Sequence, residues 1–387
     1  MAPYNYSHLR APARAKEPFY ATSEFWTDIN PIPLMEGAPQ APSKPGEDLP
    51  TQSAPALATI AYSKRYLEAM SYLRAVMAQN EFSERCLALT EDIIGMNPAH
   101  YTVWLYRMKC LRELWGVNTQ ETEQVAENEK KIEMGVDGEL EWLESVSERN
   151  LKNYQIWHHR QSLLSLLPES SVLPPSEISF LAHILSFDAK NYHVWTYRQW
   201  LCRRYASTLL VDPSPELIEM EKLLNDDCRN NSAWSHRYFV VFGLEELELM
   251  EKGDKVRKEI LDEGLLPVDE AAVEREIAYA KEWIEVAPQN PSPWNYLRGV
   301  LKRAGRNLQS EREFCETFVR PAGEEGVELD FEGDAVRSSH AIDWLSQAYV
   351  EQGTEEGKEK ARRCLQALGT KWDIIRKNYW DYRAKGL

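Results

Sequence analysis

Five times along the chain a tryptophan recurs in nearly the same surroundings, and this recurrence constrains the fold more than any other feature. Four segments align without gaps: Asn97-Pro-Ala-His-Tyr-Thr-Val-Trp-Leu-Tyr-Arg107, Asn150-Leu-Lys-Asn-Tyr-Gln-Ile-Trp-His-His-Arg160, Asp188-Ala-Lys-Asn-Tyr-His-Val-Trp-Thr-Tyr-Arg198 and Asp227-Cys-Arg-Asn-Asn-Ser-Ala-Trp-Ser-His-Arg237. A fifth, Asn290-Pro-Ser-Pro-Trp-Asn-Tyr-Leu-Arg298, keeps the tryptophan and moves the arginine one place on. Trp104, Trp157, Trp195, Trp234 and Trp294 are separated by 53, 38, 39 and 60 residues, and the two middle intervals fit one helix pair per repeat. The longer intervals imply insertions, in the acidic stretch 120–138 and around 251–269.

Each unit reads as an amphipathic helix. The residue before the first four tryptophans is Val103, Ile156, Val194 or Ala233, and the residue seven places after each of the five is Leu111, Leu164, Cys202, Val241 or Leu301. With the tryptophan these form one apolar stripe. Asn153, Asn191, Asn230 and Asn290 stand four places before the tryptophan, where a helix needs an N-cap, and His100 is the exception. The arginine shares the tryptophan's face, so its guanidinium can reach carboxylates or carbonyls of a neighbouring repeat. A helix that cannot bury its stripe alone leads to stacked helical hairpins. Upstream, Ser63 is placed to cap a helix carrying Tyr66, Met70, Leu73 and Met77, and Ser83 to cap a second running through Ile93 and Ile94. No alternating strand pattern of useful length follows. The fold class is all-α, a right-handed superhelix (crescent) of stacked helical hairpins, or α-α solenoid. The tetratricopeptide spacing is absent and the period here is longer.

The solenoid is assigned to residues 57–387. Residues 1–56 form a Pro-rich N-terminal extension or linker, partly disordered, in which Pro31, Pro33, Pro39, Pro42, Pro45, Pro50 and Pro55 forbid a continuous helix. The formal charge of −16 argues against nucleic-acid and membrane-surface partners, which need clustered positive charge. No apolar run approaches the roughly 18–20 residues that span a bilayer, and Met1 to Arg10 lacks a secretory h-region. The six cysteines are scattered without a C-x-x-C, which fits neither a disulfide framework nor a zinc site in this chain and suits a reducing cytoplasm.

Two repeats hold something that packing does not require. Lys152-Asn-Tyr-Gln155 and Lys190-Asn-Tyr-His193 put a lysine just before a helix N-terminus, the unfavourable end of the dipole for a cation. A cation beside free backbone N–H groups is an arrangement that binds anions, so a phosphate-bearing ligand is one reading. Two solvated loop lysines are the other. His158 and His159 point about 100° apart on a helix and cannot share one metal, whereas His193 stands near a helix start. The chain has no H-E-x-x-H, phosphate loop, dinucleotide fingerprint or nucleophile elbow. If the chain belongs to an enzyme, something essential therefore comes from elsewhere.

The repeated Asn-Tyr-x-x-Trp-x-x-Arg unit resembles the protein prenyltransferase α-subunit repeat. The likeness extends to Phe25-Trp-Thr-Asp-Ile-Asn-Pro31, Ser83-Glu-Arg-Cys-Leu-Ala-Leu-Thr90, Trp294-Asn-Tyr-Leu-Arg-Gly299 and Asp373-Ile-Ile-Arg-Lys-Asn-Tyr-Trp-Asp-Tyr-Arg383. Its N-terminal segment is similar to the subunit shared by farnesyltransferase and geranylgeranyltransferase type I. The resemblance implies an obligate heterodimer with an α/α-barrel β subunit that ligates Zn2+, with Mg2+ accompanying the diphosphate. The pair would move a farnesyl or geranylgeranyl group from its diphosphate to the cysteine of a C-terminal CaaX sequence. On the same basis Lys152, Tyr154 and His193 are catalytic-site residues on the diphosphate side, with Tyr192 beside them. Gln155 would meet the peptide's terminal carboxylate, and Tyr101 would border the pocket for the last CaaX residue. The alternatives are a Rab geranylgeranyltransferase α subunit or a non-catalytic helical-repeat scaffold. His100 stands where the family has Asn, Thr196 where Gln or His is commoner, and the segments at Pro39–Pro55 and after Leu114 and Phe242 are longer than usual.

Overall fold

The recurring tryptophan marks the second helix of a hairpin. The computed structural model of the chain describes residues 9, 11, 19–33, 60–117, 125–168, 170–209, 213–250, 269–320 and 329–387. Every regular element among them is a helix. The chain forms two units, residues 1–197 and 198–387.

In the first unit, two short turns (Tyr20–Thr22 and Glu24–Trp26) precede α1 (Lys64–Ala78), α2 (Glu84–Met96), α3 (Tyr101–Leu114), α4 (Val125–Arg149), α5 (Tyr154–Leu164), α6 (Ser176–Phe187) and the start of α7 (Tyr192–Arg204). The second unit continues with α8 (Ala206–Leu209), α9 (Ser214–Asp226), α10 (Asn231–Met250), α11 (Glu270–Val286), α12 (Pro291–Arg303), α13 (Arg312–Glu316), α14 (Ser339–Glu351), α15 (Glu355–Ala367) and α16 (Lys377–Lys385). The acidic stretch expected as an insertion before Trp157 is in part the beginning of α4, a helix of 25 residues. The stretch 251–268, expected as the other insertion, and the Pro-rich stretch 34–59 lie outside the described residues.

The apolar stripe is buried as expected at Val103, Ile156, Val194, Ala233, Leu111, Leu164, Cys202 and Leu301, while Val241 is half-buried. The five tryptophans are buried, and Trp157, Trp234 and Trp294 stack across hairpins within their units. Trp157 lies 5.5 Å from Tyr197, Trp234 lies 5.0 Å from Tyr296 and Trp294 lies 5.9 Å from Trp344, centroid to centroid. The repeat arginines are buried with them. Arg107 donates to both oxygens of Glu139 at 2.6 and 2.7 Å, Arg160 pairs with Glu177, Arg198 with Glu216 and Arg237 with Glu276.

Each of these glutamates comes from the first helix of the following hairpin. Each also contacts the residue two places after the next tryptophan: His159 at 3.0 Å, Tyr197 at 2.6 Å, His236 at 3.1 Å and Tyr296 at 2.6 Å. A buried carboxylate with all its neighbours in place is tolerated, and one that loses its cation is costly. Arg298, displaced by one residue, reaches Gln347 (2.7 Å) and Asp343 (3.3 Å) instead.

Ser63 caps α1 as expected, accepting from Tyr66 N–H at 3.2 Å. The α1 face departs from expectation. Ala69, Tyr72, Leu73 and Val76 are buried, whereas Tyr66, Met70 and Met77 are half-buried. The reason is the N-terminal segment, whose Tyr20 and Trp26 pack on Tyr72 at 5.4 and 5.5 Å and rotate the covered face. Hydrogen bonds fix that segment: Tyr20 donates to Asp92 (2.6 Å), Ile32 N–H to the Ser71 carbonyl (3.0 Å), and Arg85 to Asp28 and the Phe25 carbonyl. Ser83 sits at the cap position of α2, yet its hydroxyl donates to Glu81 rather than capping.

Candidate functional site

The turns that start α3, α5 and α7 lie in the first unit and carry all six residues of interest. Asn153 caps α5 by accepting from Gln155 and Ile156 N–H at 2.9 and 3.3 Å, and its own amide donates to the Pro98 carbonyl at 2.8 Å. Asn191 does the same for α7, accepting from His193 and Val194 N–H and donating to the Leu151 carbonyl at 2.8 Å. One side chain thus begins its helix and ties its turn to the turn of the preceding repeat. Asn290 repeats the device in the second unit, with Ser292 N–H and the Cys228 carbonyl. In the first repeat His100 makes no side-chain cap bond to α3. Trp104 also donates to the Pro98 carbonyl (2.8 Å). The buried Trp157 indole N–H has no partner among the described residues.

These caps set the positions of the neighbouring side chains. Lys152 precedes Asn153 and projects into solvent, its side chain 83% exposed, with Nζ 3.9 Å from Asp188 Oδ2. Tyr154 is exposed at the first position of α5. Gln155 is buried, and its amide donates to the Ala99 carbonyl at 2.7 Å. Lys152, Tyr154 and Gln155 share one open hollow of about 670 Å³, with Ala99, Glu148 and Arg149 also on its walls.

Tyr101 is exposed at the start of α3, its ring 6.4 Å from that of His158. Tyr192 is exposed at the start of α7, with the half-buried His193 ring 5.8 Å away. The structure therefore gathers three of the six residues around one hollow and sets the other three on the two flanking helix starts. Lysine, phenol and carboxamide beside helix N-termini make a surface suited to anions. Two participants had no signal of their own in the sequence: the Ala99 carbonyl that anchors Gln155, and the Asp188 carboxylate that faces Lys152.

The paired histidines separate as their spacing requires. His158 is exposed, whereas His159 is buried against Glu139 and 5.2 Å from the Trp104 ring. Burial depresses His159 below its ordinary value despite the Glu139 hydrogen bond. Burial alone would raise Glu139, but the Arg107 charge and the His159 and Arg107 hydrogen bonds outweigh it and bring the carboxyl down to about 2.

One trio in the second unit has the composition of a metal site: Cys202, Glu216 and His236, with ligand atoms within 4.8 Å of one another. It does not fit zinc. Arg198 occupies both Glu216 oxygens at 2.9 and 3.0 Å, and His236 Nε2 lies 3.1 Å from one of them. Burial pushes the Cys202 thiol up to about 12, away from the thiolate that zinc binds. The trio is the Arg–Glu–His arrangement of Arg107, Glu139 and His159 over again, with a buried cysteine beside it. All six cysteines are free thiols.

Comparison with known proteins bears on what such a surface serves. The protein prenyltransferase alpha subunit repeat matches residues 83–114, 136–167, 174–205, 214–244 and 273–304. The chain is 33% identical over 365 residues to the protein farnesyltransferase/geranylgeranyltransferase type-1 subunit alpha of Candida albicans, covering 94% of this chain and 97% of that one. It is 30% identical to the Dictyostelium discoideum subunit of the same name, over 92% of this chain and 91% of the other. Among solved structures it is similar to Candida albicans protein geranylgeranyltransferase-I complexed with GGPP, with a TM-score of 0.70, 31% identity, and 93% and 97% of the two chains covered. With its repeats, helical hairpins and near-complete alignment, the chain belongs to the protein prenyltransferase α-subunit family.

Proposed function

We propose that this chain is the α subunit of a heterodimeric protein prenyltransferase of the farnesyltransferase/geranylgeranyltransferase type I kind, acting in the cytoplasm. The observation that carries this reading is the hollow that Lys152, Tyr154 and Gln155 share, in a chain aligned over 94% of its length with a type-1 α subunit. Matches to geranylgeranyl transferase type-2 α subunits are 30% identical and cover 58% of this chain and 35% of the relative, which favours the type-1 reading.

In the reaction, the cysteine sulfur of a CaaX-terminated protein forms a bond to C1 of the prenyl group as the bond from C1 to the diphosphate oxygen breaks. Negative charge grows on the leaving diphosphate, and only interactions stronger at that point accelerate the step. Lys152 supplies a mobile cation, and Tyr154 and His193 supply hydrogen-bond donors from adjacent helix starts. Tyr192 flanks His193. Gln155, anchored through Ala99, presents the rest of its amide to the carboxylate that ends the peptide, and Tyr101 borders the pocket for its last side chain. Zn2+ supplies thiolate stabilisation when bound. On this reading its ligands belong to the β subunit, as does the choice between farnesyl and geranylgeranyl. Mg2+ is the natural companion of the diphosphate.

The test is Lys152→Ala in the assembled heterodimer, followed by single-turnover transfer to a CaaX peptide. Slowing by about 10- to 100-fold, the loss of one charged contact made chiefly to the leaving group, supports the role. An unchanged rate contradicts it.

A further inference from the structure

We infer that Asp188 is the resting counter-ion of Lys152, a positioning residue that holds the ammonium at the rim and that the incoming diphosphate displaces. This rests on the assignment of Lys152 to the diphosphate side. The two ends of the pair are held very differently. Asp188 closes α6 as its C-cap, and its Oδ1 accepts the Lys190 backbone N–H at 3.4 Å, which fixes the carboxylate in the turn. Its Oδ2 faces Lys152 Nζ at 3.9 Å. The lysine is 83% exposed and free to swing about a long stem, whereas the carboxylate is only 28% exposed. The pair therefore has a fixed anion and a mobile cation.

Its strength suits displacement. An exposed ion pair near 4 Å in water contributes little to stability, so it can aim a side chain without locking it. A diphosphate carries more negative charge than one carboxylate and accepts from several donors, so it outcompetes Asp188 for the same ammonium. The remaining charges around Lys152 do not take over this role. Glu148 on the wall of the hollow is engaged by His183 at 3.0 Å, and Arg149 and Lys190 share the sign of Lys152. Asp188 thus sets the resting place of the ammonium and opposes the diphosphate until the lysine changes partner.

The measurement is a double-mutant cycle on the purified heterodimer, reading the Kd of inorganic pyrophosphate and of farnesyl diphosphate at low ionic strength. Asp188→Asn keeps an oxygen for the Lys190 N–H and removes the charge. We expect it to tighten pyrophosphate about three- to fivefold, the scale of one exposed charge pair at about 4 Å. In the Lys152→Ala background the same change should have under half that effect, because the cation through which it acts is gone. Asp188→Glu, which keeps the charge, should restore wild-type Kd.

An equal tightening in both backgrounds would mean that Asp188 repels the diphosphate directly, and the counter-ion role would be overturned. Unchanged or weaker binding in Asp188→Asn overturns it as well, while weakened binding in Lys152→Ala alone leaves the anion role of Lys152 standing. If Lys152→Ala does not alter pyrophosphate affinity, both assignments fall together.

Discussion

The Arg107 guanidinium donates to both oxygens of Glu139 at 2.6 and 2.7 Å, joining the second helix of one repeat to the first helix of the next. Both side chains are buried, and the guanidinium also lies 4.0 Å over the Trp142 ring. Removing one partner leaves a charge without its counter-ion, so Arg107→Ala and Glu139→Ala should each cost about 3–5 kcal/mol in urea denaturation. Arg107→Ala combined with Glu139→Ala should cost much less than the sum. A strictly additive cycle would contradict the pairing.

The asparagine at each helix start has two separable functions. Asn153→Asp keeps the cap on Gln155 and Ile156 but loses the donor to the Pro98 carbonyl, whereas Asn153→Ala loses both. The aspartate variant should be destabilised by about 1 kcal/mol and the alanine variant by about 2–3 kcal/mol. Equal losses would mean that the tie to the preceding repeat contributes nothing.

How α4 meets α3 depends on one missing side chain. Gly135 faces the indole of the buried Trp115, and a Cβ there has no room without moving the ring. Gly135→Ala should therefore destabilise by about 1–3 kcal/mol, although alanine is the better helix former by about 1 kcal/mol. In a Trp115→Leu background the same change should become neutral or favourable, as read by thermal denaturation.

Much of this scaffold is legible in the sequence, because a tryptophan stripe with an asparagine cap carries its own periodicity. The arginine's reach to a neighbouring carboxylate follows from its place on the tryptophan face. Its partners carry a register too, because Glu139, Glu177, Glu216 and Glu276 each stand 18 residues before the next repeat tryptophan, although their separation from the arginine varies from 17 to 39 residues and each reads locally as a solvated acid. The covered face of α1 is only partly legible locally, because its cover, Tyr20 and Trp26, arrives from across the Pro-rich stretch. At the site, lysine before a helix start is visible in one dimension. Asp188 and the Ala99 carbonyl become partners only when adjacent repeats stack.

Two buried histidines and the glutamates they face act in one direction. His159 and His236 lie below their ordinary value of 6.5, chiefly through burial, so the stability they contribute is present above about 6.5 and is lost as pH falls below it. Glu139 and Glu216 are brought to about 2 from 4.5 against the effect of burial, so their contribution is present above 4.5 and is lost as pH falls towards 2. Urea midpoints should fall in two stages, first below pH 6.5 and more steeply below pH 4.5. Replacing His159 by Gln should flatten the first stage, and an unchanged pH profile in that variant would refute this assignment.

This chain completes a prenyltransferase only with a partner. That dependence is tested by co-expression with a type I β subunit, purification of the complex, and transfer of a labelled prenyl group from its diphosphate to a CaaX peptide with zinc present. The complex should turn over, this chain alone should not, and transfer should be at least about tenfold slower when Lys152→Ala is assembled into the same dimer. A complex that forms with farnesyltransferase or geranylgeranyltransferase type I β subunits yet prenylates no CaaX peptide would contradict it.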